Sequence, residues 1–236
     1  MRKYIIIGVS VVVVLAIIVG IAVSQHNKEM AKDEAFKQRV EHTPILGKKN
    51  TTHQIVIYAD FNCPYCRSFD LKMMDQLEDE FIHTKKAHIR FVNAGLLGDD
   101  SLYKSVVSYS IYQQNPKAYW KFNRRLFEEQ PKDKQTNYAD KIKGESVNQS
   151  EVDNIVKHAK QKAEVNDLRK DINLSNKEIQ RVKKDINNPN SKAWEQALKD
   201  RQTTKQQRVK TVPHVTIDNK TIEDNKNIKK YRRYIK

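Results

Sequence analysis

Cysteine is nearly absent from this chain: 236 residues contain two, Cys63 and Cys66. Two cysteines separated by two residues make a poor structural staple, because so short a loop removes little entropy from the unfolded chain. There is no third cysteine to mispair with them. None closely follows the N-terminal apolar run, which excludes lipid attachment there. Arg67 rather than His follows Cys66, which excludes c-type haem attachment. Acidic residues are also in deficit, 29 against 44 basic ones, for a net charge of +15. Such a balance suits anionic lipids, acidic polymers or acidic unfolded proteins. The basic residues are spread over 157–210 and the tail 229–233 and form no recognised nucleic-acid motif, so they read as a solvated helical surface.

What is present centres on Asp60-Phe61-Asn62-Cys63-Pro64-Tyr65-Cys66. Before it, Ile55, Val56, Ile57 and Tyr58 form a brief β-branched run that predicts a buried strand over 54–59. After it, Phe69, Met73, Met74, Leu77 and Phe81 share one face of a predicted helix over 64–82. The cysteines therefore sit where a strand ends and a helix begins. At a helix N-terminus, free backbone N–H groups and the macrodipole favour thiolate over thiol. Cys63, at or just before the first turn, reads as the attacking thiolate. Cys66, three residues further and facing inward, reads as the thiol that resolves the mixed disulfide. Pro64 suits the first helical position, where its missing N–H costs nothing.

The same residues admit a second reading. His83 and His88 extend the pair to Cys-x2-Cys-x16-His-x4-His, near a zinc-finger spacing, and a zinc-dependent nucleic-acid binder is an alternative on so basic a chain. Against it, Pro64 puts the cysteines at a helix start, and His88 opens a predicted strand over 88–93.

Residues 5–23 form one uncharged apolar run, and at 1.5 Å per residue its nineteen residues reach about 28 Å, close to the bilayer core. It reads as a membrane anchor over 1–24, with a cleaved signal ending at Ala22-Val23-Ser24 as the alternative. Arg2 and Lys3 keep that end inside, which places the rest outside, where disulfide chemistry is at home. Residues 25–50 read as a charged spacer, helical as far as Val40, and Pro44-Ile45-Leu46-Gly47 leads into the folded unit. Late in the chain, 212–217 predicts another strand, Asp218-Asn219 a turn, and 220–222 its partner. A final helix over 223–235 presents Ile228, Tyr231 and Ile235 on one face.

Residues 98–208 read as helical. Leu102, Val106, Tyr109, Ile111 and Tyr112 mark one helix, and Tyr119, Trp120, Phe122, Leu126 and Phe127 a second after Pro116. Asn148-x-x-Glu151 and Ser175-x-x-Glu178 resemble capping boxes, and Trp194 with Leu198 marks a last helix. The mixed charges of 160–190 suggest long, solvent-exposed helices.

The order β-α-β, then β-β-α, is the thioredoxin arrangement, and the chain resembles the DsbA-like thiol–disulfide oxidoreductases of membrane-tethered bacterial type. Three features carry the likeness: the Cys-Pro-Tyr-Cys segment between strand and helix, the segment Thr211-Val212-Pro213-His214-Val215-Thr216-Ile217, and the helical insertion. The fold implied is α/β, a thioredoxin domain over 51–97 and 209–236, with the helices inserted between its halves. The resemblance implies Cys63 as nucleophile, Cys66 as the buried resolving thiol, and a cis Pro213 beside the disulfide. It also implies client contacts at Pro64, Tyr65 and the Val212 backbone, since a proline without N–H leaves an edge open to a guest strand. The acidic residue that many members carry on the first strand is replaced here by Ile57 and Tyr58. Asp60 is then read as a helix cap, with a proton relay to Cys66 as the alternative.

The function implied is a monomeric extracytoplasmic oxidase that gives disulfides to reduced, unfolded secreted proteins, without cofactor or nucleic acid. A quinone-linked membrane thiol oxidase is the implied candidate for reoxidising it. Reductase or isomerase activity of the same fold, and a non-enzymatic helical binding protein, are the competing readings.

Overall fold

The computed structural model describes residues 2–130 and 172–236, with side chains from residue 15 onward. It divides into two units, Met1–Glu41 and His42–Lys236. The first is a single helix, α1 (Arg2–Val40), which continues without a break from the apolar run through the charged segment. Among the described residues no helix is long and apolar enough to cross a membrane, so the expected transmembrane anchor is not established there.

The second unit is built on a five-stranded sheet ordered β1-β3-β2-β4-β5. Its strands are β1 (Ile45–Leu46), β2 (His53–Ala59), β3 (Ala87–Asn93), β4 (His214–Ile217) and β5 (Lys220–Thr221). β2 and β3 run parallel, as a strand–helix–strand crossover requires, and the other pairings are antiparallel. Ile55, Val56, Ile57 and Tyr58 are wholly buried, in keeping with a central strand covered on both faces. The lead-in at Ile45 and Leu46 is itself an edge strand, a pairing too short for any periodicity to announce. β4 begins at His214 rather than at 212, because Pro213 has no N–H to give to the ladder. Asp218 and Asn219 both take positive φ, 47° and 64°, in the tight turn to β5.

α2 (Pro64–Leu77) buries Cys66, Phe69, Met73, Met74 and Leu77 on the expected face. It does not run regularly to 82. Glu78–Ile82 is a π-helical turn in which His83 N–H reaches Glu78 O, five residues back, at 2.8 Å, and the wider turn keeps Phe81 and Ile82 inside. The expected final helix contracts to α7 (Ile228–Tyr231). Asp224 turns left-handed at φ 54°, and the Asn227 side chain caps the new start, yet Tyr231 and Ile235 stay buried.

Between the halves lie α3 (Asp99–Gln114), α4 (Pro116–Glu128), α5 (Asn176–Ile186) and α6 (Lys192–Gln206). Pro116 occupies the first turn of α4 behind an Asn115 cap whose side chain accepts from Ala118 N–H at 3.0 Å. The Ser175–Glu178 capping box is formed, whereas the one expected at Asn148–Glu151 lies outside the described residues. α5 corrects the expectation of a long exposed helix for the described part of 160–190. It has 11 residues and buries Ile179, Val182 and Ile186 against α3 and α6, because three apolar side chains on one face suffice to dock it. The bundle is fastened to the sheet by Asp200 of α6. Its wholly buried carboxylate accepts from Tyr109 O–H at 2.6 Å and from Asn93 N–H of β3 at 2.7 Å, and pairs with His42 Nε2 at 2.7 Å.

Candidate redox site

Antiparallel pairing sets Tyr58 of β2 opposite His214 of β4, so the chain leaving β2 and the chain entering β4 meet at one end of the sheet. That register brings Cys63 to Val212, 149 residues later, with Cys63 Sγ 3.4 Å from Val212 O. The Val212–Pro213 peptide is cis, in line with the resemblance. A turn closed by Cys63 N–H to Asp60 O at 3.0 Å carries the chain into α2, and Pro64 takes its first turn. Cys63 is the N-cap residue in extended conformation, and its carbonyl accepts from Arg67 N–H at 3.0 Å. Both cysteines are free thiols in this structure.

Exposure barely separates the two: Cys63 is 3% exposed and Cys66 1%. Their partners separate them. A hydrogen bond from the Cys66 thiol, aided by backbone N–H groups of the first turn, holds Cys63 below the ordinary thiol range. Burial pushes Cys66 well up, and a neighbouring thiolate at Cys63 adds to the shift. Cys66 Sγ takes its backbone contact from Asp60 N–H at 3.5 Å. The arrangement favours the thiolate at Cys63 and sets behind it a sulfur that holds its proton more tightly.

Asp60 does not cap α2: Cys63 is the N-cap, and no side chain caps it. The Asp60 carboxylate instead ties the redox loop to the start of the insertion. One oxygen accepts from Ser101 O–H at 2.5 Å and Asn62 N–H at 2.9 Å. The other accepts from Leu96 and Leu97 N–H at 2.7 and 3.1 Å. Four donors on two oxygens satisfy the buried carboxyl group within the protein.

Further long-range contacts of the loop escaped the sequence reading. Asn62 donates to Leu97 O at 3.2 Å and accepts from Lys104 Nζ at 2.9 Å. Gln130 Nε2 donates to Phe61 O at 2.6 Å and Cys63 O at 3.3 Å. Phe61 packs on Phe127 and Phe91, with ring centroids 5.3 and 6.2 Å apart. Lys104 and Gln130 lie 42 and 67 residues from their partners, and no local spacing signals such contacts.

At the mouth, Tyr65 is 68% exposed and carries Lys226 Nζ 5.7 Å from its ring centroid. A groove of about 450 Å³ runs beside Pro213, lined by His214, Asn225, Lys226, Arg208 and Lys210. The zinc constellation does not assemble. His88 is engaged through Nδ1 with Thr51 at 2.8 Å and through Nε2 with Gln54 at 3.1 Å. His83 pairs with Asp79 at the surface. Among the described residues no cluster of three or more His, Cys, Asp or Glu side chains could hold a metal.

Residues 39–236 match a family model described as Thioredoxin. The chain is 28% identical over 187 residues to the probable disulfide bond formation protein D of Bacillus anthracis, covering 78% of this chain and 80% of that protein. Its fold is similar to that of oxidised BdbD from Bacillus subtilis, with TM-score 0.63, 20% identity and coverage of 83% and 91% of the two chains. It is similar also to MdbA, a thiol-disulfide oxidoreductase from Corynebacterium diphtheriae, with TM-score 0.54, 18% identity and coverage of 81% and 89%.

Proposed function

Because the chain belongs to the thioredoxin family, we propose that it is a protein thiol–disulfide oxidoreductase working as a dithiol oxidase through Cys63 and Cys66. The observation that carries this is the contrast between the two sulfurs: Cys63 at the N-cap of α2 with its pKa lowered by the Cys66 hydrogen bond, Cys66 buried behind it with its pKa raised. A stabilised Cys63 thiolate favours the reduced pair and so makes its disulfide a strong oxidant.

A client thiolate attacks Cys63 of the Cys63–Cys66 disulfide, forming the mixed disulfide and releasing Cys66, which takes up a proton. A second client thiolate attacks the client sulfur of that bond, and Cys63 leaves as thiolate. Two electrons pass from client to enzyme. The lowered pKa of Cys63 makes it a better leaving group in the second step, and the raised pKa of Cys66 slows the return attack that would discard the client unoxidised. Pro64 and Tyr65 beside Cys63, with the Val212 carbonyl and the open edge at Pro213, supply the surface for an extended client segment. Clients are reduced secreted proteins, and a quinone-linked membrane thiol oxidase is a fitting source of fresh disulfide.

The apolar helix at 5–23 tethers this domain on the outer side of a membrane. Support comes from the unbroken apolar run, the basic Arg2 and Lys3, and the exposure of Leu15, Ile17, Ile18, Val19, Ile21 and Val23 around the described helix. The relative's name, disulfide bond formation protein, agrees with the disulfide chemistry proposed for this chain.

The test is trapping. Cys66→Ser, first charged as a mixed disulfide with a small aromatic disulfide, should pass to a reduced client peptide and accumulate as a covalent adduct at Cys63. Cys63→Ser should form none. Equal adducts at both positions, or none at either, would contradict the assignment.

A further inference from the structure

Within the redox loop, Asp60 O accepts from Cys63 N–H at 3.0 Å and the Asp60 carboxylate from Asn62 N–H at 2.9 Å. The N-cap of α2 makes no side-chain capping bond, so the remaining hold on the loop comes from other parts of the chain. Asp60 and Asn62 are held by the loop at Leu96 and Leu97 and by α3, as described. The carbonyls of Phe61 and Cys63 share one further holder. Gln130, two residues past the end of α4 and 7% exposed, has Nε2 within hydrogen-bond distance of both Phe61 O and Cys63 O. A primary amide has two hydrogens on that nitrogen, and here they meet two acceptors.

The two carbonyls matter because of where they lie. Cys63 O is also the first acceptor of α2, taking Arg67 N–H at 3.0 Å, so Gln130 grips the oxygen from which the helix starts. The Phe61 carbonyl belongs to the peptide whose N–H donates to Asp60 at 2.9 Å. With Cys63 N–H already on Asp60 O at 3.0 Å, the hold on the Cys63 carbonyl restrains the second peptide plane flanking the residue, and so its extended backbone, φ −87° and ψ 117°, and the direction of the Cα–Cβ bond that carries the sulfur. Donors set against two carbonyl oxygens also offset negative charge beside a group that works as an anion.

We propose that Gln130 is a positioning residue for the redox reaction: from the end of α4 it holds the Phe61 and Cys63 carbonyls and thereby sets the geometry in which the Cys63 thiolate forms. The inference rests on the reading of Cys63 as the reacting thiolate. It gives the helical insertion a direct part in tuning the cysteines. The insertion does so through one side chain that touches neither sulfur.

The experiment uses the full chain with Gln130→Met, which keeps the length of the side chain without donors, and Gln130→Glu, which offers acceptors and charge in their place. Gln130→Asn is the fallback where the methionine variant does not fold. Thiolate absorbance at 240 nm against pH reports the Cys63 titration, and equilibration with glutathione buffers reports the reduction equilibrium. Gln130→Met is expected to raise the titration midpoint and to shift the equilibrium at least about threefold toward the disulfide, and Gln130→Glu about tenfold. Gln130 variants that match the native protein in both readouts, even if less stable in urea, would overturn the inference alone. A native protein with no thiol titrating below the ordinary range would overturn the reading of Cys63 and this inference with it.

Discussion

In the sheet half of the domain, the groups that react lie in segments whose neighbours in sequence explain them. β2 ends, a turn of a few residues follows, and α2 begins at Pro64 with Cys63 as its cap. In the helical half nothing reacts, yet Ser101 and Gln130 hold the loop from which the cysteines project, and Lys104 holds Asn62 beside them. The first region supplies the chemistry and the second supplies its rigidity. A thiolate at a helix start is available to many folds. Here the loop that carries it is held by side chains from 41 or more residues away.

Asp60→Ala breaks the comparison most severely, because it cuts the link between the halves. Four donors, from Ser101, Leu96, Leu97 and Asn62, would lose their acceptor, at about 1–3 kcal/mol for each one left buried and unpaired. Urea unfolding of the reduced protein should show a loss of several kcal/mol, with the Cys63 titration displaced as well. Trp194→Ala should sharpen the contrast. It empties a wholly buried site in the bundle and removes the indole bond to Ile186 O at 3.1 Å, for a loss of about 3–5 kcal/mol. Thiolate absorbance of the folded variant should nonetheless match the native protein, since Trp194 touches no part of the redox loop.

A pH effect comes from the interface between the halves. Asp70 of α2 lies beside Arg124 of α4 at 3.2 Å, with Asp75, Glu78 and Glu128 nearby, and its pKa is raised to about 7, chiefly by burial. A carboxyl group raised in the fold favours the protonated form there. Its contribution to stability is therefore complete below the unfolded value of about 4 and is lost as pH rises through about 7. Asp70→Asn should flatten that part of the stability–pH curve, and a slope unchanged by the substitution would remove Asp70 as its source. The smallest effect is local. Ser175→Ala removes half of the α5 capping box and should cost about 1 kcal/mol, with no change in the glutathione equilibrium.

Local signals carried much of this structure. The run Ile55–Tyr58 and the helical spacing after Cys66 located β2 and α2 on either side of the cysteines. Asp218-Asn219 located the β4–β5 turn, and Ser175-x-x-Glu178 the start of α5. Signals of that kind fail where distant residues decide. Asp60 looked like a cap because it precedes a helix, but its oxygens are claimed by Leu96, Leu97 and Ser101. α5 looked exposed because its apolar residues are few, but all three face one core. Gln130 carried no signal at all, since its role exists only once α4 has packed against the loop. The regular end of α2 was misjudged for a related reason: the π turn at Glu78–Ile82 keeps Phe81 inside without preserving the helical spacing.

The reduction potential of the Cys63–Cys66 pair, by equilibration in glutathione buffers, tests the central claim most directly. An oxidase with a stabilised Cys63 thiolate should lie close to the about −120 mV of DsbA. A value close to the about −270 mV of thioredoxin would contradict the account and make the protein a reductase.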